Sequence, residues 1–421
     1  MPINNNPIPE MKKYAAYATV LLFTIIYILS FVDRQIVAVL GTQIRDSLVL
    51  SNFQIGLLYG PVFSFVYAFA GIPMGRIADK TSRKLMICTG LFIWSLMTVL
   101  SGFAASFAFL VTARVFVGLS QAMLSPAVYS YLADAFSQKH RATVFSIYAS
   151  GIFIGVGLSF LVGGTVSLQY DWKVAMIVVG VPGLILAPLT WFLVREPDKK
   201  RETDNSDVNI LSDLKQLLSK KSVVFHLIGF SFLACMGYTI LAFIGNVFND
   251  VHQRPDLIPL YGWFMFGVGV MVILSGKVAD KLAQVKPERR YLMGIFAALG
   301  GLPFYASGLY AATPESAFIL MGIGVLFASS YNGVAAAIIQ YFVPSSKRAL
   351  AGGLYLFVIS VAGFGIGPPL TGWLIDFVFS GPLAVSHSIM TVITVTSIGA
   401  TLSLLNAMRY YKHDTVSDQA V

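Results

Sequence analysis

Long apolar runs separated by short polar clusters recur along the whole chain. Each is about 20 residues or longer, enough to cross a hydrocarbon core of ~30 Å as a helix. Twelve such helices are predicted: Tyr14–Leu40, Phe53–Met74, Leu85–Ala105, Phe107–Ala133, Ala142–Val166, Lys173–Val194, Val223–Phe248, Leu257–Ser275, Tyr291–Ala312, Ser316–Val343, Leu350–Phe379 and Leu383–Met408. The third and fourth meet at Ser106 and are separated by length rather than by charge. Composition agrees, with 56% hydrophobic and only 12% charged residues. Soluble domains average about 45–50% and about 25%. The expected class is an all-α, polytopic membrane protein.

A net charge of +9 in a soluble chain would suggest nucleic acid. Its distribution argues otherwise. With alternate loops assigned to alternate sides, 24 of the 29 Lys and Arg residues fall on the side of the chain ends, and only Arg45, Lys173 and Arg254 on the other. Arg34 and Arg114 lie inside helices. That asymmetry follows the positive-inside rule, so both termini are expected in the cytoplasm and no nucleic-acid partner is expected. The segment "MPINNNPIPEMKK" precedes a run too long for a signal-peptide core, so the first span is expected to be retained. Cys88 and Cys235 sit inside apolar runs without ligand spacing and read as small core residues.

The longest internal polar stretch, Arg195–Lys221, divides six spans from six. Within it "ILSDLKQLLSKK" has apolar residues at helical spacing and reads equally as a surface helix or a solvated linker. The expected plan is a tail over 1–13, a six-helix bundle over 14–194, a linker over 195–222, a second bundle over 223–409 and a tail over 410–421. The halves echo one another. "GRIADKTSRK" after the second span matches "GKVADKLAQ" after the eighth, and "GIFIGVGLSFLVGG" in the fifth matches "GFGIGPPLTG" in the eleventh. Two pseudo-symmetric six-helix repeats in one orientation resemble the plan of the major facilitator superfamily. The glycine-rich fifth span is expected to pack the halves together rather than to carry chemistry.

"GRIADKTSRK" is similar to that superfamily's loop between spans two and three. The resemblance implies a cytoplasmic latch of Gly75, Asp79, Arg83, Asp134 and Arg141, with Gly75 allowing close helix approach.

The opposed charges inside "LSFVDRQIVAVL" raise a sharper question, because ionisable groups within a membrane span are costly and usually functional. Asp33 lies eight residues before the outer end of the first span, and Arg114 seven residues below the same surface on the fourth. At ~1.5 Å per residue the two are level, so they are expected to pair across a central cavity. Gln121 follows two turns deeper on the face of Arg114. Asp33 and Arg34, adjacent on a helix, are not expected to share a partner. The alternative is a structural ion pair, although buried pairs are weak evidence for stability.

"SFVDRQIV", "RVFVGLSQAMLSPAVYSYLAD", "FQIGLLYGPVFSFVYAFAGIPMGRIADKTSRK" and "WSLMT" resemble the bacterial branch of the spinster-like transporters. That resemblance implies proton-coupled movement of lysophospholipid-type amphiphiles, with the acid–base pair of span one on Asp33 and Arg34 and the span-four arginine on Arg114. Where that family carries a glutamate, this chain has Gln121, so Asp33 is expected to exchange the proton alone. Arg114, Gln121, Arg34, Asn332 and Tyr331 are the candidate substrate-binding residues.

Asn246, Gln340, Tyr59 and Tyr129 are further intramembrane polar residues, with helix packing their default role. His226 is expected at the membrane interface. No metal constellation or nucleotide-binding loop occurs, so neither an enzyme nor a bound cofactor is expected. The expectation is a monomeric secondary transporter of an amphiphilic anion such as a lysolipid, using protons, in a bacterial inner membrane. A symporter of small sugar acids and a non-transporting receptor are the alternatives.

Overall fold

The computed structural model describes residues 10–196, 210–344 and 347–416. Twelve of its helices are long and apolar enough to cross a membrane: spans 1 to 12 are Ala16–Val39, Asn52–Gly71, Arg83–Ser101, Phe107–Ala135, Thr143–Gln169, Trp172–Leu193, Lys221–Val251, Leu257–Val285, Pro287–Leu309, Pro314–Phe342, Leu350–Phe377 and Ala384–Thr415. With an even number of spans both chain ends lie on one face, called the terminus face below; the opposite one is the far face. The twelve runs read from sequence match these spans to within a few residues at most ends.

Two apolar clusters show how the halves meet. One lies wholly within the first six spans, from Val20 to Val194, and occupies their terminus-face side. The other takes in the far-face ends of those spans, such as Ile36, Leu58 and Met176, and continues into spans 7 to 12. Among the described residues the buried core is therefore shared between the halves at the far face.

Spans 2 and 11 show the same divergence along their lengths. At the far-face end a Cβ on Gly56 would lie 2.5 Å from the Pro368 carbonyl, Gly60 abuts the Phe364 carbonyl, and Gly372 abuts the Asn52 carbonyl. Only glycine permits so close a backbone approach. Towards the terminus face, Gly71 and Gly75 on span 2 and Gly352 and Gly353 on span 11 meet nothing within 4 Å. The rings of Phe69 and Phe357 still touch, with centroids 5.3 Å apart, and the two helices part beyond them, towards the terminus face. Gly75 was expected to let helices approach closely; in this state it borders open space because the halves have separated there.

Gly56→Val is expected to destabilise this state by about 1–3 kcal/mol through overpacking. Gly75→Ala, in open space, is expected to be neutral or slightly stabilising. Thermal unfolding of the two purified variants in detergent measures the contrast.

The glycine-rich fifth span packs both ways, as expected. Gly155 rides against the Ile28 carbonyl of span 1, 2.5 Å from a Cβ placed on it, while Gly157 faces Gly262 and Phe266 of span 8. Of the polar stretch between spans 6 and 7, Ile210–Leu218 is a helix. Leu217 is buried, and Asp213 pairs with Lys347 at 2.7 Å, so this helix docks on the last six spans.

Candidate functional site

Asp33 sits in a closed polar knot formed by spans 1, 3 and 4. Its Oδ1 accepts from Thr98 Oγ1 at 2.5 Å and its Oδ2 from Gln121 Nε2 at 3.1 Å. Arg114 Nη1 donates to the backbone carbonyl of Asp33 at 3.1 Å. Gln121 Oε1 accepts from Ser30 Oγ at 3.1 Å and from Arg34 Nη2 at 3.3 Å. Asp33, Arg114 and Gln121 are 2%, 4% and 1% exposed, so none of them lines open space in this state.

Two expectations are corrected. The carboxylate and the Arg114 guanidinium are level, but they form no direct ion pair across a cavity, because the guanidinium is engaged by the main chain of span 1. Asp33 and Arg34 do share a partner. An amide presents a donor and an acceptor on one carbon, so Gln121 serves the carboxylate with its nitrogen and the guanidinium with its oxygen.

Arg34 is the more accessible cation. It is half-buried, and its guanidinium lies over the rings of Phe31 and Tyr67 at 4.5 Å and of Phe63 at 4.9 Å. These are favourable cation–π distances. Its buried Nε has no hydrogen-bond partner among the described residues. Around this cage lie further aromatics that the sequence did not single out. Tyr27 stacks on Tyr148 at 4.1 Å, and Tyr238 stacks on Phe364 at 3.6 Å. Thr98 was also missed as a ligand of the carboxylate, although it closes the "WSLMT" motif.

Replacing Gln121 by glutamate would set a second carboxyl group against Asp33. Two carboxylates at that spacing cannot both stay ionised, so Gln121→Glu is expected to bind one shared proton. The pH profile of transport by the variant should shift from that of the parent, and identical profiles would sink the expectation.

The remaining candidates separate. Asn332 is exposed and donates to the Ser329 carbonyl at 3.0 Å. Tyr331 is buried and stacked on Phe230 with centroids 5.6 Å apart, so it belongs to the packing of the last six spans. His226, expected at the interface, is wholly buried and ringed by Phe230, Tyr291 and Tyr355, because its side of span 7 faces the core.

At the terminus face Arg83 pairs with Asp134 at 2.7 Å and donates to the Ser130 carbonyl at 3.3 Å. Arg141 Nε donates to the Phe136 carbonyl at 3.2 Å. Glu196, at the end of span 6, caps the start of span 3 by accepting from the main-chain nitrogens of Arg83 and Lys84 at 2.8 and 3.3 Å and from Ser82 Oγ. A carboxylate is favoured at a helix N-terminus, a role not anticipated for Glu196. All these contacts stay within the first six spans. The side chain of Asp79 lies outside the described residues.

At the far face, polar contacts cross between the halves. Arg45 binds Asp250 through two hydrogen bonds of 2.6 and 3.0 Å and Asn52 at 3.1 Å. Asn246 Nδ2 bridges Asn52 Oδ1 and Asp250 Oδ2. Asp376 of span 11 accepts from the main-chain nitrogens of Asn52 and Phe53 at 3.2 and 2.7 Å, capping span 2 from the opposite half. Burial opposes the charge on Arg45, but hydrogen bonds to Asp250 and Asp46 outweigh it and hold its pKa above the ordinary value.

Comparison with known proteins places this geometry. Residues 23–364 match the Major Facilitator Superfamily. The chain is 26% identical to an MFS-type efflux pump of Mycolicibacterium smegmatis, over 96% of this chain and 95% of that protein. It is 25% identical to a hexuronate transporter of Bacillus subtilis, over 87% and 91%. Among solved structures, a bacterial homologue of the human lysosomal transporter spinster, inward-facing and unoccupied, superposes with a TM-score of 0.85 at 24% identity, covering 95% of this chain and 98% of that one. The chain is a multi-pass membrane transporter, not an enzyme, and belongs to the major facilitator superfamily.

Proposed function

We propose that this transporter moves an amphiphilic anion, such as a lysolipid, by proton-coupled alternating access in the inner membrane of a bacterium. On this reading the termini are cytoplasmic and the protein is a monomer. Residues 14–194 and 223–409 rock as two bodies, and the parting of spans 2 and 11 beyond Phe69 and Phe357 marks an inward-facing state. Arg83, Asp134 and Arg141 then rearrange with Gly75 and Asp79 when that face closes.

The observation that carries the substrate class is the Arg34 cage. A half-buried guanidinium whose buried Nε has no partner among the described residues, set among aromatic rings, offers a charge to an anionic head and an apolar wall to its chain. The substrate contact assigned to Arg114 from sequence therefore moves to Arg34. Arg114 keeps the main chain of Asp33 in place, and Asp33 exchanges the proton. Substrate reaches this knot through Gln121: an anion drawn to Arg34 competes for the guanidinium–amide contact that ties Arg34 to Asp33.

A second reading, symport of a sugar acid, is favoured by the similarity to the hexuronate transporter and by the compact hydrogen-bonding set of Ser30, Gln121 and Arg34. Uptake into proteoliposomes under an imposed pH gradient separates the two. The proposal expects accumulation of lysophospholipid and not of hexuronate. The opposite pattern establishes the second reading, and no flux of either with any anion tested returns the chain to a receptor role.

A further inference from the structure

Spans 8 and 9 are joined at Lys286, next to the 3-10 turn Pro287–Tyr291 that opens span 9, and splay apart away from it. Between them lies a groove of about 760 Å³, separate from the Asp33 knot, with Leu274, Val278 and Leu282 on one wall, Phe296 and Leu299 on the other, and Ser330 of span 10 at its floor. Leu274, Val278, Phe296 and Leu299 are between 43% and 49% exposed. The groove occupies the terminus-face half of both spans. A volume of this size is that of a small-ligand site.

Its floor is incomplete. Ser330 is wholly buried, yet its Oγ has no hydrogen-bond partner among the described residues. Buried hydroxyls without partners are rare, so the protein's own packing does not finish this surface.

The mouth is basic. Lys281 follows Leu274 by seven residues and sits at the edge of the helical face that forms the groove wall, and Lys277 flanks Leu274 further round the helix. Both are exposed, as is Lys286, and Arg289 and Arg290 are half-buried. Two carboxylates share this rim: Asp280, 3.7 Å from Arg290, and Glu288, 3.7 Å from Lys412. Cations remain in excess. An apolar slot that faces the acyl region and ends in cations at the headgroup level matches one molecule abundant in any bilayer.

We infer that this groove seats an anionic glycerophospholipid of the terminus-face leaflet, with an acyl chain between spans 8 and 9 and its phosphate on Lys277, Lys281 and Lys286. The site is independent of the substrate proposed above. Because spans 8 and 9 join only at one end, a seated chain braces span 8, which in turn carries the contact of Gly157 and Gly262 between the halves.

Native mass spectrometry of the detergent-purified protein, incubated with equimolar phosphatidylglycerol and phosphatidylcholine, tests the inference. Phosphatidylglycerol is expected to be retained at least about tenfold over phosphatidylcholine, a difference of about 1.4 kcal/mol. Leu274→Trp, at a half-exposed position that tolerates bulk, should fill the slot and abolish retention. The double variant Lys277→Gln, Lys281→Gln should abolish the preference while leaving weak retention of both lipids. Equal retention of the two lipids by the parent protein, or undiminished retention by Leu274→Trp, overturns the assignment.

Discussion

Asp33→Asn should remove concentrative uptake altogether while leaving exchange of substrate across the membrane. A transporter that couples one proton gains about 1.4 kcal/mol for each unit of pH gradient, enough for about tenfold accumulation. The variant keeps no group at this position that can take up and release a proton, so its accumulation ratio should fall to about one. Exchange needs only that substrate bind and the halves rock. It should lose about ten- to a hundredfold, because the amide still offers Thr98 an acceptor while the Gln121 hydrogen bond to the charged carboxylate, worth about 1.5–3 kcal/mol, is lost. Thr98→Val is the matching control: it removes the hydroxyl 2.5 Å from Oδ1 but leaves the carboxylate, and should preserve accumulation. Proteoliposome uptake with and without a pH gradient, beside counterflow at zero gradient, reads all three proteins. Accumulation by Asp33→Asn equal to that of the parent would place the coupling proton elsewhere.

The fold was legible because its signals are long. A run of twenty apolar residues needs no knowledge of its neighbours to be a span, and 24 basic residues in the tails and alternate loops are what the expected topology rests on. The level of Asp33 with Arg114 followed from helical rise. What the first bonds to did not follow, because a guanidinium long enough to reach a carboxylate also reaches the main-chain carbonyl of the same residue. Thr98 escaped notice since a threonine inside an apolar span usually bonds its own helix, as Thr98 does at the Trp94 carbonyl; the packing of span 3 against span 1 sets Asp33 against the same hydroxyl. Glu196, Asp376 and Asp250 looked like ordinary residues at span ends. Their role comes from which helix terminus or arginine the fold brings to them, a relation between segments up to 324 residues apart in the chain. Gly75 and Gly56 show the same limit from another side. Gly75 read as a close-approach residue and Gly56 was not singled out, yet Gly56 meets a backbone and Gly75 meets nothing within 4 Å among the described residues, a difference that sequence does not carry.

That state is held at the far face, and Arg45→Ala should release it. Arg45 and Asp250 are 17% and 23% exposed at their side chains, between the surface pairs worth about 0–1 kcal/mol and the buried pairs whose disruption costs about 3–5 kcal/mol. Loss of the guanidinium also strips Asn52 of a donor and leaves Asp250 facing Asn246 and Asn249 alone. A cost of about 2 kcal/mol to the far-face-closed state shifts the balance between states about thirtyfold towards far-face opening. Asp376→Ala should act in the same direction by baring the first turn of span 2, which that carboxylate caps from span 11. Spin labels at Val49 and Gln253, on opposite halves of the far face, read the change in a background with Cys88 and Cys235 replaced by serine. The parent should show one short distance, and Arg45→Ala a second, longer population. Exchanging the charges, with Arg45→Asp and Asp250→Arg together, should recover part of the short population, because the attraction returns while the fit to Asn52 does not. High salt should lengthen the parent's distance only slightly, as pairs this far buried are screened weakly. An unchanged distance distribution in both Arg45→Ala and Asp376→Ala would mean that the glycine contacts of spans 2 and 11 close the far face without help from these charges.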